Sequence, residues 1–191
     1  MTIIFDRSKK ISLDDESFRS ELLSIASKID DVIPLGRGDP DFHTPKHIVD
    51  AAKKALDDNK HHYTPPNGLP ELRVAISKNL LKKYNLNYSE NEIVVTAGVQ
   101  ESIALAMLSL LETGDEVLIT SPRFTTYDLN VRMCNAKPIP IPTYEKNNFS
   151  LMPEIIENKI NERTKVIVLV SPNNPTGAVT PPENIKKIAE I

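Results

Sequence analysis

The stretch Lys165-Val-Ile-Val-Leu-Val170, followed at once by Ser171-Pro-Asn-Asn-Pro-Thr-Gly177, decides how this chain folds. A short apolar run without polar alternation reads as a strand covered on both faces of its sheet. Reading back from it, Pro153 to Asn161 has the pattern of a helix and Lys137 to Ile141 that of a weaker strand. Thr126 to Met133 is a short helix, and Glu116-Val-Leu-Ile-Thr120 is a strand. Gln100 to Leu111 is a helix with apolar residues almost all round, and Glu92-Ile-Val-Val-Thr96 a further strand. Strands alternating with helices predict an α/β fold around a mostly parallel sheet. Reading forward, Thr180-Pro-Pro-Glu183 has the form of a capping box with proline just inside the helix. That helix runs to Ile191 with no glycine stop and no strand after it, the pattern of a unit cut short.

The first 90 residues read as helices and loops. Phe18, Leu22, Ile25, Ala26 and Ile29 make an amphipathic stripe over Asp14 to Ile29. Thr44-Pro45 reads as an N-cap with proline at the first helical position, ahead of Ile48, Ala51, Ala52, Ala55 and Leu56. Leu72, Ile76 and Leu80 define another helix, ending near Tyr84-Asn85. Between these two lies the irregular stretch His61-His62-Tyr63-Thr64-Pro65-Pro66-Asn67-Gly68.

Composition narrows the function classes. With 191 residues, 40% of them hydrophobic and 26% charged, the chain is long enough and apolar enough to bury a core. Lys and Arg number 23 against 26 Asp and Glu, a net charge of −3 with no basic stripe, which speaks against nucleic acid as the main partner. No apolar run approaches the length of a bilayer span. The N-terminus lacks the basic and apolar regions of an export signal, and a single cysteine, Cys134, excludes an internal disulfide framework, so a reducing cytoplasm is expected. Fifteen prolines fall at element boundaries, where each locks φ and restrains its predecessor.

Four segments have the composition of a binding site. Val94-Val-Thr-Ala-Gly98-Val-Gln-Glu is a strand, a glycine turn and a helix N-terminus, whose amides and dipole suit a phosphate. Ser171-Pro-Asn-Asn-Pro-Thr-Gly177 places two adjacent asparagines at the carboxyl end of a strand, where open α/β sheets bind ligands. Leu35-Gly-Arg-Gly38-Asp-Pro-Asp-Phe42 can bring backbone close to a ligand. Ser121-Pro-Arg-Phe124-Thr-Thr-Tyr127 offers an aromatic face just past a strand.

Taken in order, Gly38-Asp-Pro-Asp-Phe42, Tyr63-Thr-Pro-Pro-Asn-Gly68, Thr96-Ala-Gly98, Ser121-Pro-x-Phe124 and Ser171-Pro-Asn-Asn-Pro-Thr-Gly177 resemble the class I/II aminotransferase family of fold-type-I pyridoxal-phosphate enzymes. The resemblance implies a helical N-terminal arm or small-domain segment over residues 1–44. Residues 45–191 would be the first half of the cofactor-binding large domain. It implies a cofactor, pyridoxal 5′-phosphate (PLP), with Ala97, Gly98 and Val99 on its phosphate, Phe124 stacked on its ring and Asn174 donating to its phenolic oxygen. Gly38 and Asn174 would border the substrate, Gly38 beside the α-carboxylate. Tyr63 would reach the cofactor phosphate of a second subunit, so a homodimer is implied, with an amino acid and a 2-oxo acid as substrates. Ser121-Pro122 and Asn174-Pro175 would be candidates for cis bonds.

Part of the family pattern is not found. The Schiff-base lysine stands in a Ser/Thr-x-x-Lys string well after the asparagine motif; here there is no Ser-x-x-Lys, and the Thr-x-x-Lys from Thr143 to Lys146 precedes that motif. The family's aspartate for the pyridine nitrogen and its substrate-clamping arginine belong to the same absent part. Arg37, Arg123 and Arg132 read instead as surface charges or local loop contacts. The chain alone is therefore expected to be inactive. A PLP-dependent lyase or synthase shares every motif, and a non-catalytic aminotransferase-like domain is the alternative outside enzymes. His61-His62 and the pair His43, His47 lack a further metal ligand at suitable spacing, Cys134 reads as a small core residue, and Asp14-Asp15-Glu16 as a charge cluster favoured by a helix dipole.

Overall fold

The computed structural model describes residues 21–22, 24–33, 38 and 40–191. The stripe from Asp14 to Ile29 lies largely outside the described residues, as do the Asp14-Asp15-Glu16 cluster and Arg37. Packing divides the chain into two compact units, one formed by Ser17–Thr96 and the other containing Ala97–Ile191.

In the unit before residue 97, α1 spans Lys46–Asp57 and α2 spans Pro70–Tyr84. Proline opens α2 at its first position, where no intrahelical donor is lost, and Asn85 closes it in the left-handed conformation at φ 55°. A 3₁₀ turn follows at Glu90–Glu92, and here a true capping box forms. The Ser89 amide and hydroxyl both donate to the Glu92 carboxylate at 2.9 Å. These bonds, the backbone one foremost, hold the Glu92 carboxyl below its ordinary pKa.

The unit from residue 97 carries α3 (Val99–Leu110), β1 (Glu116–Ser121), α4 (Thr126–Met133), β2 (Lys137–Pro142), α5 (Pro153–Glu157), β3 (Thr164–Val168) and α6 (Pro182–Glu190). The three strands form one parallel sheet in the order β2-β1-β3. Alternation along β1 sorts the core into two layers. Val117 and Ile119 pack with Met107 and Leu111 from the α3 region and with Val131 of α4. Leu118 faces the other way, against Ile141, Leu151, Ile156 of α5 and Ile188 of α6. Val117, Leu118 and Ile119 are fully buried, each contributing roughly 1.5–3 kcal/mol of transfer free energy.

Four expectations are corrected. Residues 93–96 do not form a strand: Ile93 is extended, but the Val95 amide donates to the Asn67 carbonyl in the preceding loop at 3.1 Å, and Glu92 belongs to the 3₁₀ turn. A strand needs a ladder beside it, and that segment has none among the described residues. The 165–170 run is only half-buried, because β3 pairs with β1 on one side; β1 is the most buried strand. Neither Thr44 nor Thr180 caps a helix, since Pro45 and Pro181 occupy the N-cap position without a side-chain bond. Proline restrains the residue before it to extended backbone, which pushes each threonine outside the helix. The helix expected from Pro153 to Asn161 stops at Glu157, and Asn161 instead serves a turn through its bonds to Thr164 and Arg163.

Candidate cofactor site

The connections of the sheet create one special place. The chain passes from β1 to β2 on one side and then returns across β1 to β3 on the other. After β1 it enters α4, on the Val117–Ile119 face; after β3 it enters α6, on the Leu118 face. Adjacent parallel strands whose following helices lie on opposite faces leave a crevice at their carboxyl ends, the usual ligand site of such sheets. The two loops that leave there are the ones holding Phe124 and Asn174.

These loops are tied together by side chains. Asn173 is buried at 9% exposure. Its carboxamide nitrogen donates to the Pro122 carbonyl at 3.2 Å and to the Thr176 hydroxyl at 2.9 Å, while its oxygen accepts from the Thr120 hydroxyl at 3.4 Å. The Ser121 carbonyl accepts two bonds from Thr143, from the amide at 2.9 Å and from the hydroxyl at 3.0 Å. Phe124 sits half-buried in the loop so held, and Asn174 is exposed beside buried Asn173. Arg123 grips Asp128 with two N–H groups, and these hydrogen bonds raise its pKa. That guanidinium is a local loop contact, occupied by its own carboxylate. Ser121-Pro122 and Asn174-Pro175 are cis, and Ser171-Pro172 is cis as well.

A third loop adds an anion-binding element. Gly98 is the N-cap of α3 at φ 84°, a backbone region that suits glycine, and a Cβ built there meets nothing within 4 Å. The first-turn amides of a helix have no acceptor inside it, so their dipoles favour an anion at that end. Glu101 reaches back to accept from the Ala97 amide, ordering the turn. Gln100 donates to the Thr126 hydroxyl at 3.3 Å, which joins the start of α3 to the start of α4. Hydrogen bonds therefore run from the Gly98 turn through the Phe124 loop to the Asn173–Asn174 turn. Sequence reasoning foresaw none of the bonds made by Glu101, Gln100 and Thr143, and it placed Asn173 only as a neighbour of Asn174 at a ligand-binding strand end, because a pattern of residue types does not show which polar side chain is buried.

Tyr63 and Gly38 lie in the other unit, both exposed. Tyr63 is the most open aromatic side chain among that unit's described residues, beside the exposed rings of His61 and His62, whose centroids are 4.8 Å apart. Gly68 turns that loop at φ 97°, with Val95 packed against it.

Comparison with known proteins settles the kinship. The model of aminotransferase class I and II matches residues 30–191. The chain belongs to this family. Its relatives include an aspartate aminotransferase of Pyrococcus horikoshii, 45% identical over 96% of this chain and 47% of that protein. A probable aspartate/prephenate aminotransferase of Aquifex aeolicus is 46% identical over 84% of this chain and 41% of its own length. The Thermus thermophilus aspartate aminotransferase solved with maleate superposes with a TM-score of 0.89 at 32% identity, covering 98% of this chain and 50% of that one. This chain thus spans about half the length of the curated relatives it matches. The parallel sheet with flanking helices is that of the fold-type-I large domain.

Aspartate and aromatic aminotransferases of the family depend on PLP, and the donor set here fits that group. A glycine-capped helix N-terminus suits its phosphate, an aromatic face suits its ring, and Asn174, which makes no side-chain hydrogen bond among the described residues, suits its phenolic oxygen. Among the described residues no three metal-ligating side chains gather, and no helix is long and apolar enough to cross a membrane.

Proposed function

We propose that this chain is the cofactor-holding half of a PLP-dependent aminotransferase that moves an amino group between an amino acid and a 2-oxo acid. The observation that carries the reading is the hydrogen-bonded set of three loops around the β1–β3 switch point. When bound, PLP supplies the electron-withdrawing ring that makes a substrate Cα proton acidic. The protein's part is placement. Gly98 and Val99 offer helix-terminal amides to the phosphate, and Ala97 shares its amide with Glu101 in shaping the turn. Phe124 would offer its aromatic face to the cofactor ring. Asn174 donates to the phenolic oxygen, which sets the electron density of the ring, and also borders the substrate. Gly38 gives backbone access to the substrate α-carboxylate, and Tyr63, fully exposed, reaches the cofactor phosphate of a second subunit in a homodimer.

Residues 1–44 are the arm segment of this reading and 45–191 the start of the large domain. A lone cysteine and the absence of a spanning helix among the described residues support a cytoplasmic enzyme. Lacking a Ser-x-x-Lys lysine, this chain alone does not turn over.

Titration of the chain with PLP, followed by borohydride reduction and peptide mass mapping, tests the reading. Saturable binding at one site, competed by inorganic phosphate and without a stoichiometric lysine adduct, is expected. No saturable binding removes the cofactor assignment, and a specific adduct accompanied by transamination removes the assignment of inactivity.

A further inference from the structure

We propose that Asn173 is a positioning residue that locks the Phe124 loop and the Asn174 turn into a single rigid jaw, so that neither cofactor contact moves without the other. The reading of its consequence for PLP rests on the cofactor site proposed above; the lock itself rests on geometry alone.

Asn173 is separated from Pro122 by 51 positions in sequence, yet its carboxamide joins the two loops directly. One N–H goes to the Pro122 carbonyl, two residues before Phe124, and a bond to Thr176 holds the turn on the other side of Asn174. The Asn173 backbone closes the same turn, its amide donating to the Ala178 carbonyl at 2.9 Å and its carbonyl accepting from Gly177 at 2.8 Å. Its side-chain oxygen accepts from the Thr120 hydroxyl near the end of β1, so the jaw is anchored to the most buried strand. The task needs a planar group with two donors and an acceptor. Aspartate lacks the donors, and serine or alanine is too short to span both loops. Burial raises the stakes, because an amide or carbonyl left unpaired there incurs its desolvation cost without compensation. Neighbouring Asn174 is exposed and free to face a ligand, so the two adjacent asparagines divide the work.

Hydrogen exchange read by mass spectrometry on peptides over 121–127 and 171–179 tests the lock without any ligand. In Asn173→Ala, faster exchange is expected in both segments, with 116–119 unchanged. Thr176→Val removes only two local bonds, those from the Asn173 carboxamide and the Ala178 amide, and is expected to loosen 171–179 alone. If Asn173→Ala does not fold, Asn173→Ser, which keeps a hydroxyl but does not reach Pro122, gives the same readout. Loosening confined to 171–179 in the Asn173 variants overturns the proposal.

A PLP titration reads the consequence. Asn173→Ala is expected to weaken PLP by about tenfold, the effect of one well-placed hydrogen bond. Phe124→Ala, costly in the parent chain, is expected to cost little more in the Asn173→Ala background, and the absorption maximum of bound PLP is expected to shift with Asn173→Ala. Additive losses with an unmoved maximum mark a merely structural asparagine and overturn the positioning role. A parent chain that binds no PLP refutes the cofactor assignment, while the exchange result still decides the lock.

Discussion

Two glycines with similar backbone angles carry different burdens. At Gly68, with φ 97°, a Cβ would stand 2.7 Å from the Val95 side chain, which is itself held by the bond from Val95 to Asn67. Gly68→Ala is expected to lose about 1–3 kcal/mol from backbone strain, with the steric clash added to it. Gly98→Ala meets open space, so only the strain of φ 84° remains, about 1–2 kcal/mol, and its main effect should fall on phosphate binding. Urea unfolding followed by circular dichroism ranks the two, and equal losses would refute the clash. Glu116 gives a pH-dependent case. Its buried carboxylate accepts from Asn161 and from Arg163, both at 2.8 Å, and these bonds hold its pKa below the ordinary 4.5. A depressed folded pKa means that the unfolded chain binds more protons at low pH. The stability is therefore full above the ordinary carboxylate value and is lost as pH falls through the folded one. Glu116→Gln is expected to be less stable at pH 7, and its gap to the parent should close as pH falls through the lowered folded-state pKa. A gap independent of pH would show that shape, not charge, holds the site. None of this was legible in the sequence, where Glu116 is one more residue at the start of a strand.

At the scale of elements, β2 shows how a sequence can specify an edge. The amides of Lys137 and Thr143 donate inward to the Asp115 and Ser121 carbonyls of the β1 strand line. Backbone direction alternates along a strand, so Ile139 and Ile141 also face β1, whereas Pro138, Pro140 and Pro142 fall on the outward positions. The missing N–H of each proline would have pointed away from the sheet, so the ladder loses nothing and the outer edge is closed to another strand. Pro140→Val is expected to change stability by no more than about 0.5 kcal/mol while raising self-association. Ile139→Pro breaks an inward bond and is expected to cost at least about 1–3 kcal/mol. Equal costs in thermal unfolding would place the prolines in the wrong register. Because the Lys-Pro-Ile-Pro-Ile-Pro run reads as a weak strand by propensity, sequence reasoning found the element but not its role. It found α4 and, from the helix after Gly98 onward, the order of strands and helices through apolar periodicity. It missed the end of α5 and misread both threonine caps, since the proline after each threonine shifts the helix start by local sterics that residue type alone does not settle.

Across the whole molecule, the ordered motifs made family and fold class legible, but the distribution of packing was not. The apolar stripe of α1 is as regular as that of α6, yet α1 has no buried residue, while Ile188 of α6 is 4% exposed. Among the described residues every buried apolar side chain comes from Met107 onward, and the single buried residue before 97 is Arg73, at 8% exposure. Its guanidinium donates to the Glu90 carbonyl at 2.8 Å, while its Nε has no partner. Local stability follows buried apolar contact, so the two units should open at different free energies. Native-state hydrogen exchange is expected to find the slowest amides in β1 and much faster ones in α1 and α2. Brief proteolysis should cut within 17–96 first and leave a resistant product beginning near residue 97, because its core is built from its own residues. Cleavage that consumes both units at one rate would show that α1 and α2 share the cooperativity of the sheet and that their exposed stripes are stabilised by something other than burial.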